Sequence, residues 1–433
     1  MTKRADGFLT SGHLPTLAAA WLYFAVSFMV WVLLGPLAPF LRDELGLTAT
    51  EQGLLVAVPL LGGALFRPVL GVLGDRIGGR RTGLIGLGLT LIPLLMGWKV
   101  ATGTPQFFAI GFLLGIAGAS FAVALPLASR WYPPEYQGLA MGIVGAGNSG
   151  SLLATLCAPR LAERFGWANT FGLMMLPVSM ATVVFALAAK DSPRRVACGD
   201  PDAPRRSARA PSTWRDYAAV LREPDTLWFS FLYSLTFGGF VGLTSFLTTF
   251  FNEQYQVSRV RAGDFTTLVV IAGSLLRPIG GWLSDRIGGY RLLLVLLVAV
   301  PGCLVATAMR PALPIVVVVL FVGVGLMGMG NGALFQLVPQ RFADRVGTVT
   351  GVVGAAGGLG GFFLSSVLGA AKDATGTYGF GLLVFAAAFL VGAFTLLELG
   401  RRWTTRWRPH AVKQSGVFCY RAAVRRVLGE EAA

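Results

Sequence analysis

The composition of this 433-residue chain excludes a water-soluble protein. Hydrophobic residues make up 54% of the chain and charged residues only 13%, about half the charged share of an average soluble domain. A net charge of +15 would suggest nucleic acid in a soluble domain, but here the charges avoid segments long enough to cross a bilayer. We expect an all-α polytopic membrane protein that contacts the lipid bilayer and binds no nucleic acid.

Apolar runs predict twelve membrane spans in two sets of six. We place them near residues 16–39, 51–73, 83–101, 106–130, 137–159, 168–189, 226–250, 263–283, 291–309, 313–338, 347–370 and 378–400. The expected organisation is an N-terminal six-helix half (1–190), a polar cytoplasmic linker (191–222), a C-terminal six-helix half (223–402) and a basic cytoplasmic tail (403–433).

The distribution of Lys and Arg predicts the orientation of the chain. With the N-terminus inside, the inner segments carry 26 of these residues and the outer loops carry 8. Because cytoplasmic loops are enriched in Lys and Arg, we expect both termini in the cytoplasm and a multi-pass protein of the plasma (inner) membrane. The first residues run into span 1 without a cleavage site, so no removable signal peptide is expected.

The sequence carries no pattern that is typical of an enzyme or a metal protein. Its four cysteines are scattered without a CxxC motif, and its two histidines, His13 and His410, lie outside the predicted spans. No nucleophile–base pair and no nucleotide-binding loop is visible. We therefore expect neither enzymatic activity, nor a cofactor, nor a metal.

A repeated segment places an arginine inside span 2 and another inside span 8. Residues 63–81 and 273–291 are identical at 12 of 19 positions, and Arg67 and Arg277 each precede an Asp-Arg pair by eight residues. Eight helical residues span roughly 12 Å, which predicts that both arginines lie near the bilayer midplane. A charge there costs at least about 2.5–3.5 kcal/mol, so such residues usually face a transport pathway.

The partner of these arginines is expected to be the substrate. Snorkelling to the surface is disfavoured because neither residue lies at the end of a span. A structural ion pair needs a carboxylate, but none of the 21 Asp and Glu residues falls in the middle of a span. Guanidinium groups can hold planar oxyanions by two parallel hydrogen bonds, so the pair predicts a small-anion site between the halves.

Glycine-rich segments in spans 5 and 11 are the second feature. Glycine at this density lets helices approach closely and slide, which we expect of Gly145, Gly147, Gly150, Gly354, Gly357 and Gly358. Within the span 5 segment, Asn148 would present an amide to the substrate or, alternatively, to a neighbouring helix. The span 11 copy has glycine at the position aligned with this asparagine.

The loops after spans 2 and 8 resemble the signature of the major facilitator superfamily. In each loop an Asp-Arg pair follows a glycine by four residues and is itself followed by Gly-Gly. The resemblance implies the major facilitator fold, with twelve transmembrane helices in two pseudo-symmetric halves. It also implies gating ion pairs at the cytoplasmic face made by Asp75, Arg76, Asp285 and Arg286, but it leaves the cargo open.

The paired arginines, the glycine-rich segment of span 5, and the motifs at 131–133 and 137–138 together resemble the nitrate/nitrite porter family. The resemblance implies nitrate and nitrite as substrates. Carried over by position, it implies a substrate-binding set of Arg67, Arg277, Asn148, Tyr233, Phe237 and Phe121.

The expected function is transport of nitrate or nitrite by alternating access. An anion that neutralises both arginines would remove their repulsion and let the halves close, which makes nitrate/nitrite exchange the most direct mode. Proton-coupled nitrate symport, a carrier of another small anion, and a nitrate sensor built on a carrier fold remain alternatives. A monomer is expected.

Overall fold

A computed structural model describes residues 7–193, 213–342, 346–407 and 415–416 of the chain. The prediction of twelve membrane spans is confirmed, and the helices extend a few residues beyond most of the apolar runs. Spans 1 to 12 run over Leu14–Leu45, Ala49–Ile77, Gly79–Lys99, Thr104–Ser129, Leu139–Phe165, Trp167–Ala188, Pro224–Tyr255, Arg259–Ile287, Gly289–Ala308, Leu313–Arg341, Gly347–Thr375 and Gly379–Thr404. Most of the predicted tail, His410 included, lies outside the described residues.

Three spans of the first half are interrupted near the middle of the bundle. Span 1 consists of helices Leu14–Trp31 and Leu34–Leu45, and span 4 of Thr104–Gly118 and Phe121–Ser129. Span 5 consists of Pro134–Gly145, a 3₁₀ turn over Ala146–Ser149, and Gly150–Phe165. Spans 7 to 12 are continuous helices: Pro224–Tyr255, Arg259–Ile287, Gly289–Ala308, Leu313–Arg341, Val346–Thr375 and Gly379–Arg406.

The repeated Gly-Gly of the signature loops has a backbone role. Gly78 and Gly288 end spans 2 and 8 with φ angles of 94° and 91°, a region that side-chain-bearing residues rarely adopt. The next glycine already belongs to the following helix. Each signature loop is therefore a one-residue turn between two antiparallel spans.

The bundle has two ends, which we call the linker end and the far end. The linker end carries the two signature loops, and the far end carries the loops at 46–48 and 256–258. At the far end the halves are joined by three ion pairs, Arg42–Glu253, Asp43–Arg259 and Arg160–Asp264. At the linker end the ion pairs Asp75–Arg130 and Asp225–Arg341 each stay within one half. The described conformation is therefore closed at the far end.

The linker contains a helix, which differs from the polar connection expected over residues 191–222. Helix Trp214–Leu221 begins with a capping box between Thr213 and Asp216. Its Tyr217 is buried, and its hydroxyl lies between spans 2 and 11, 2.5 and 3.3 Å from where Cβ atoms on Gly71 and Gly351 would stand. Burial and the nearby charge of Asp75 raise the pKa of Tyr217 to about 12, so this hydroxyl stays protonated at neutral pH.

Candidate functional site

Arg67 lies in the centre of the bundle among aromatic rings. Only 1% of its surface is exposed, and its guanidinium carbon lies 5.1, 5.4 and 5.5 Å from the ring centroids of Trp31, Phe121 and Phe237. The first two rings belong to spans 1 and 4, and the third belongs to span 7 of the opposite half. Aromatic faces attract a cation at such distances, so the cage offsets part of the cost of burying this charge.

The interruption of span 4 supplies Arg67 with a hydrogen-bond acceptor. In a continuous α-helix the Ala122 amide would bond to Gly118 O, but here it bonds to Ala119 O at 3.0 Å. Gly118 O is thereby free, and it accepts a bond from Arg67 Nε at 3.1 Å. Nη1 of the same arginine donates to Gly354 O in span 11. Carbonyl dipoles of both halves therefore hold this buried charge.

The sequence predicts that Arg67 holds an anion by two parallel hydrogen bonds. Its bonds to the two carbonyl oxygens limit which N–H groups remain for that anion. A side-on bidentate grip uses the single N–H of Nε together with a terminal N–H, and the N–H of Nε is engaged by Gly118 O. In the described part of the chain only Nη2 has no hydrogen-bond partner. While both carbonyl bonds hold, Nη2 is the nitrogen of Arg67 whose two N–H groups are both free for an anion.

Arg277 occupies the equivalent place in span 8 and is half-buried. Its guanidinium carbon lies 6.0 Å from the ring centroid of Phe237 and 5.9 Å from that of Phe335. The structure thus brings both arginines next to one ring, and Tyr233 lies near enough to interact with both charges. Nη1 of Arg277 has no hydrogen-bond partner among the described residues.

Tyr233 and Phe237 form a stacked pair on span 7, with ring centroids 5.0 Å apart and planes inclined by 6°. Glycine at position 357 leaves room for them, since a Cβ there would lie 2.7 Å from Phe237 and 2.8 Å from Tyr233. This contact explains why span 11 has no counterpart of Asn148. A side chain at that position would collide with the aromatic pair.

Asn148 lies in the 3₁₀ turn of span 5. Its side chain is fully buried, and neither amide atom has a hydrogen-bond partner in residues 7–193, 213–342, 346–407 or 415–416. Unpaired buried amides are rare because desolvating them is unfavourable. The alternative role expected for this residue, a bond to a neighbouring helix, is therefore not made in this conformation.

Two aromatic residues at the site are missing from the set that the sequence predicts. Trp31 is fully buried, and its indole fills the space beside Gly63 and Gly118, where Cβ atoms would lie 2.8 and 2.3 Å from it. Its Nε1 donates to Pro59 O at 2.7 Å. A tryptophan in an apolar span cannot be distinguished by sequence from one that faces lipid.

Phe335 of span 10 is the second addition. Its ring packs edge-on against Tyr233 with centroids 4.9 Å apart, and against Phe121 of the opposite half at 6.0 Å. It therefore joins the two halves beside Arg277. The sequence signal that could have pointed to Phe335 is the set of glycines and amide side chains around it in the segment 330–336, because these residues indicate a close polar contact.

The predicted sliding glycines of span 5 contact their own half. Cβ atoms on Gly147 and Gly150 would lie 2.8 Å from Phe24 and 1.8 Å from Ala25 O, both in span 1. For Gly145 no atom lies within 4 Å of such a Cβ. Gly147 and Gly150 thus pack spans 1 and 5 together within the first half.

Two of the span 11 glycines, Gly354 and Gly358, face the opposite half instead. A Cβ on Gly358 would lie 2.8 Å from Leu60 O of span 2, and one on Gly354 would lie 3.6 Å from Arg67 Nη1. Spans 2 and 11 therefore approach at backbone contact directly beside the site.

The residues predicted to gate the linker end are arranged differently in the two halves. Asp75 accepts a hydrogen bond from Arg130, at the end of span 4, at 2.5 Å, whereas Arg76 is exposed. In the second half Asp285 interacts with the Gln336 side chain, and Arg286 stacks on the ring of Trp282 at 3.9 Å. Neither Asp pairs with the arginine that follows it.

We expect Gly357→Ala to lower anion affinity about 10-fold, because overpacking a tight site commonly costs about 1–3 kcal/mol. The new methyl group would push the Tyr233–Phe237 pair toward the arginines. Gly145→Ala is the matched control, since its methyl group has open space. Nitrate binding by purified protein measures both variants, and equal affinities would contradict this role of Gly357.

The bundle and its centre define a class of protein. Two six-span halves meet around one buried and one half-buried arginine, whose free donors face no carboxylate among the described residues. This is the arrangement of a polytopic carrier for a small anion. Comparisons with solved structures agree on the fold. The crystal structure of a D-xylose–proton symporter superposes with a TM-score of 0.72 at 14% identity, over 88% of this chain and 97% of that one.

Sequence relatives identify the family to which the chain belongs. The family model described as Major Facilitator Superfamily matches residues 20–365. The chain is 36% identical to the probable nitrate/nitrite transporter NarK2 of Mycobacterium tuberculosis, over 88% of this chain and 95% of that protein. It is 31% identical to the nitrite extrusion protein of Bacillus subtilis, over 91% and 96%. It is also 31% identical to the probable nitrate/nitrite antiporter NarK1 of Thermus thermophilus, over 89% and 92%. The chain belongs to the major facilitator superfamily and, within it, to the nitrate/nitrite porter family.

Proposed function

We propose that this protein transports nitrate and nitrite across the plasma membrane by alternating access, exchanging one anion for the other. The observation that carries the proposal is the pair of central arginines from opposite halves, each with a buried, unpaired terminal nitrogen. A small anion between them would engage both charges at once. The names of three relatives, a probable nitrate/nitrite transporter, a nitrite extrusion protein and a probable nitrate/nitrite antiporter, agree with this substrate class.

The proposed site places the anion between Arg67 Nη2 and Arg277 Nη1. Asn148 supplies an amide donor from the first half, and the Tyr233 hydroxyl supplies a donor from the second. Phe121 and Phe237 limit the space and keep water away, which strengthens the electrostatic interactions. A flat anion with few atoms fits between aromatic faces better than a bulky organic phosphate does.

The closed far end suggests how access alternates. Under the expected orientation, with the basic linker and both termini in the cytoplasm, the far end is the outer face. The described conformation is then closed to the outside by its inter-half ion pairs. Opening it would break those pairs and part spans 2 and 11 along their glycines, while the linker end closes. One chain contains both halves of this pathway, and we propose that it works as a monomer.

Exchange is favoured over proton-coupled symport by the chemistry around the arginines. The aromatic and amide side chains that surround them carry no group that titrates near neutral pH, and the ion pairs of the described residues lie at the two ends of the bundle. An empty site would retain two positive charges and resist closing, so each return step needs a bound anion. Obligatory exchange follows.

Uptake of nitrate into proteoliposomes tests the proposal directly. We expect vesicles loaded with nitrite to take up external nitrate at least about 10 times faster than vesicles without internal anion, and to ignore an imposed proton gradient. Uptake that needs no internal anion and rises with an inward proton gradient would mean symport. Absence of flux in both conditions, in protein that binds nitrate, would favour the sensor.

A further inference from the structure

A second asparagine, Asn331, is buried in span 10. None of its surface is exposed, and neither its amide nitrogen nor its amide oxygen has a hydrogen-bond partner in the part of the chain that the structure describes. Apart from Asn148, no other asparagine among these residues is left unpaired in this way. An unpaired buried amide is unfavourable, so Asn331 needs a ligand or water as partner.

Two glycine contacts fix the depth of Asn331 in the bundle. A Cβ on Gly332 would lie 2.5 Å from Arg277 O, and one on Gly328 would lie 2.1 Å from Gly273 O. Spans 8 and 10 run in the same direction, so Asn331 lies beside the turn of span 8 that carries Arg277. Long side chains point back toward the start of their helix, which brings the guanidinium group of Arg277 to the level of Asn331.

Asn331 also lies on the inner face of span 10. Phe335 follows four residues later on the same helix face, and it contacts aromatic rings of both halves and Arg277. On span 8, three residues before Arg277, Ser274 adds a hydroxyl that is likewise buried and unpaired. Unpaired polar atoms therefore converge on the second arginine from two spans.

We propose that Asn331 is the second amide of the anion site and that it determines the preference for nitrate over nitrite. The inference rests on the proposed function. Span 11 cannot supply this amide, because residue 357 has to be glycine beside the aromatic pair. Span 10 supplies it instead, so each half contributes one arginine and one asparagine (Arg67 with Asn148, Arg277 with Asn331).

The chemistry of the two anions explains the selectivity. Nitrate has three oxygen atoms and nitrite has two. Arg67 Nη2, Arg277 Nη1, the amide of Asn148 and the hydroxyl of Tyr233 are the other donors, and two oxygens with two lone pairs each can accept a bond from all four. The third oxygen of nitrate needs a further donor when it is buried, and Nδ2 of Asn331 provides it.

Binding of the two anions to purified full-length protein in lipid nanodiscs tests the inference. We expect Asn331→Ala to raise the Kd for nitrate about 10- to 100-fold, the usual range for a lost bond to a charged group, and the Kd for nitrite less than about threefold. Asn331→Leu keeps the volume and removes both unpaired atoms. It should lose nitrate affinity equally while its Tm stays unchanged or rises.

Ser245→Ala is the control, because Ser245 also carries a buried unpaired hydroxyl but has no part in the site. Both of its Kd values should match those of the unmodified protein. Equal losses for nitrate and nitrite in Asn331→Ala, or no loss, would overturn the inference and leave the proposed function standing. A fall in Tm for Asn331→Leu with both affinities retained would assign Asn331 a structural role. If the unmodified protein binds neither anion, the proposed function itself is overturned, and the inference with it.

Discussion

Replacing Arg67 with lysine is expected to reduce nitrate transport at least about 100-fold, because two charge-assisted hydrogen bonds, each worth about 1.5–3 kcal/mol, are lost. A lysine ammonium retains the charge, but from one point it cannot reach Gly118 O, Gly354 O and the anion together. Arg277→Lys should reduce transport less, about 10- to 100-fold, since Arg277 is half-buried and water can partly replace the lost donors. The measurement is nitrate uptake at equal amounts of reconstituted protein.

Arg164→Lys provides the matched control for both variants. Arg164 is exposed at the far end, in the last turn of span 5, and its replacement should leave uptake unchanged. Size-exclusion profiles and Tm values identify any variant that simply fails to fold. Full activity of both the Arg67 and the Arg277 variants in well-folded protein would eliminate the two-arginine site.

A disulfide across the halves, between the central site and the far end, is expected to stop transport. Thr155 in span 5 and Thr267 in span 8 belong to opposite halves, and their hydroxyl oxygens lie 2.8 Å apart. Cysteines at both positions, in a chain whose four native cysteines have been replaced, should bring two sulfurs within bonding range. Oxidation would hold the far end closed, so uptake should fall to the level of empty vesicles and return after reduction.

The same chain offers a control for the chemistry of cross-linking. Thr248 and Thr266 lie in spans 7 and 8 of one half, with hydroxyl oxygens 3.2 Å apart. A disulfide at this pair leaves the halves free to move, so oxidation should not lower uptake. If the inter-half disulfide forms quantitatively and transport continues, the halves do not separate at the far end and alternating access in this form is wrong.

Much of the fold was predictable because bilayer thickness and hydropathy determine where spans begin and end. That the two arginines lie together was predictable too, because each precedes an Asp-Arg pair by eight helical residues, and both are beside Phe237. The hydrogen-bond partners of Arg67 were not predictable. Gly354 lies 287 positions from Arg67 in sequence, and no local pattern in span 11 indicates that the Gly354 carbonyl accepts a hydrogen bond.

The interruptions of the first half were also invisible in sequence. Span 4 breaks at Ala119 and Ser120 without a proline, because Gly118 O bonds to Arg67 and the Trp31 indole takes the space beside Gly118. Contacts across the bundle override local helix propensity there. The linker helix, by contrast, did have a local signal, since Thr213 and Asp216 have the spacing of a capping box.

Because span 4 is broken, the site discriminates between anions and cations by charge alone. A buried arginine is usually neutralised by a carboxylate, and such a pair carries no net charge with which to attract a counter-ion. Here a peptide dipole solvates the guanidinium group and leaves its full unit of charge in place. The centre of the bundle therefore repels every cation at long range, before any question of size or shape arises. In an unbroken span 4, Gly118 O would be bonded within the helix. A carboxylate in its place would cancel the charge of the arginine and with it the attraction for anions.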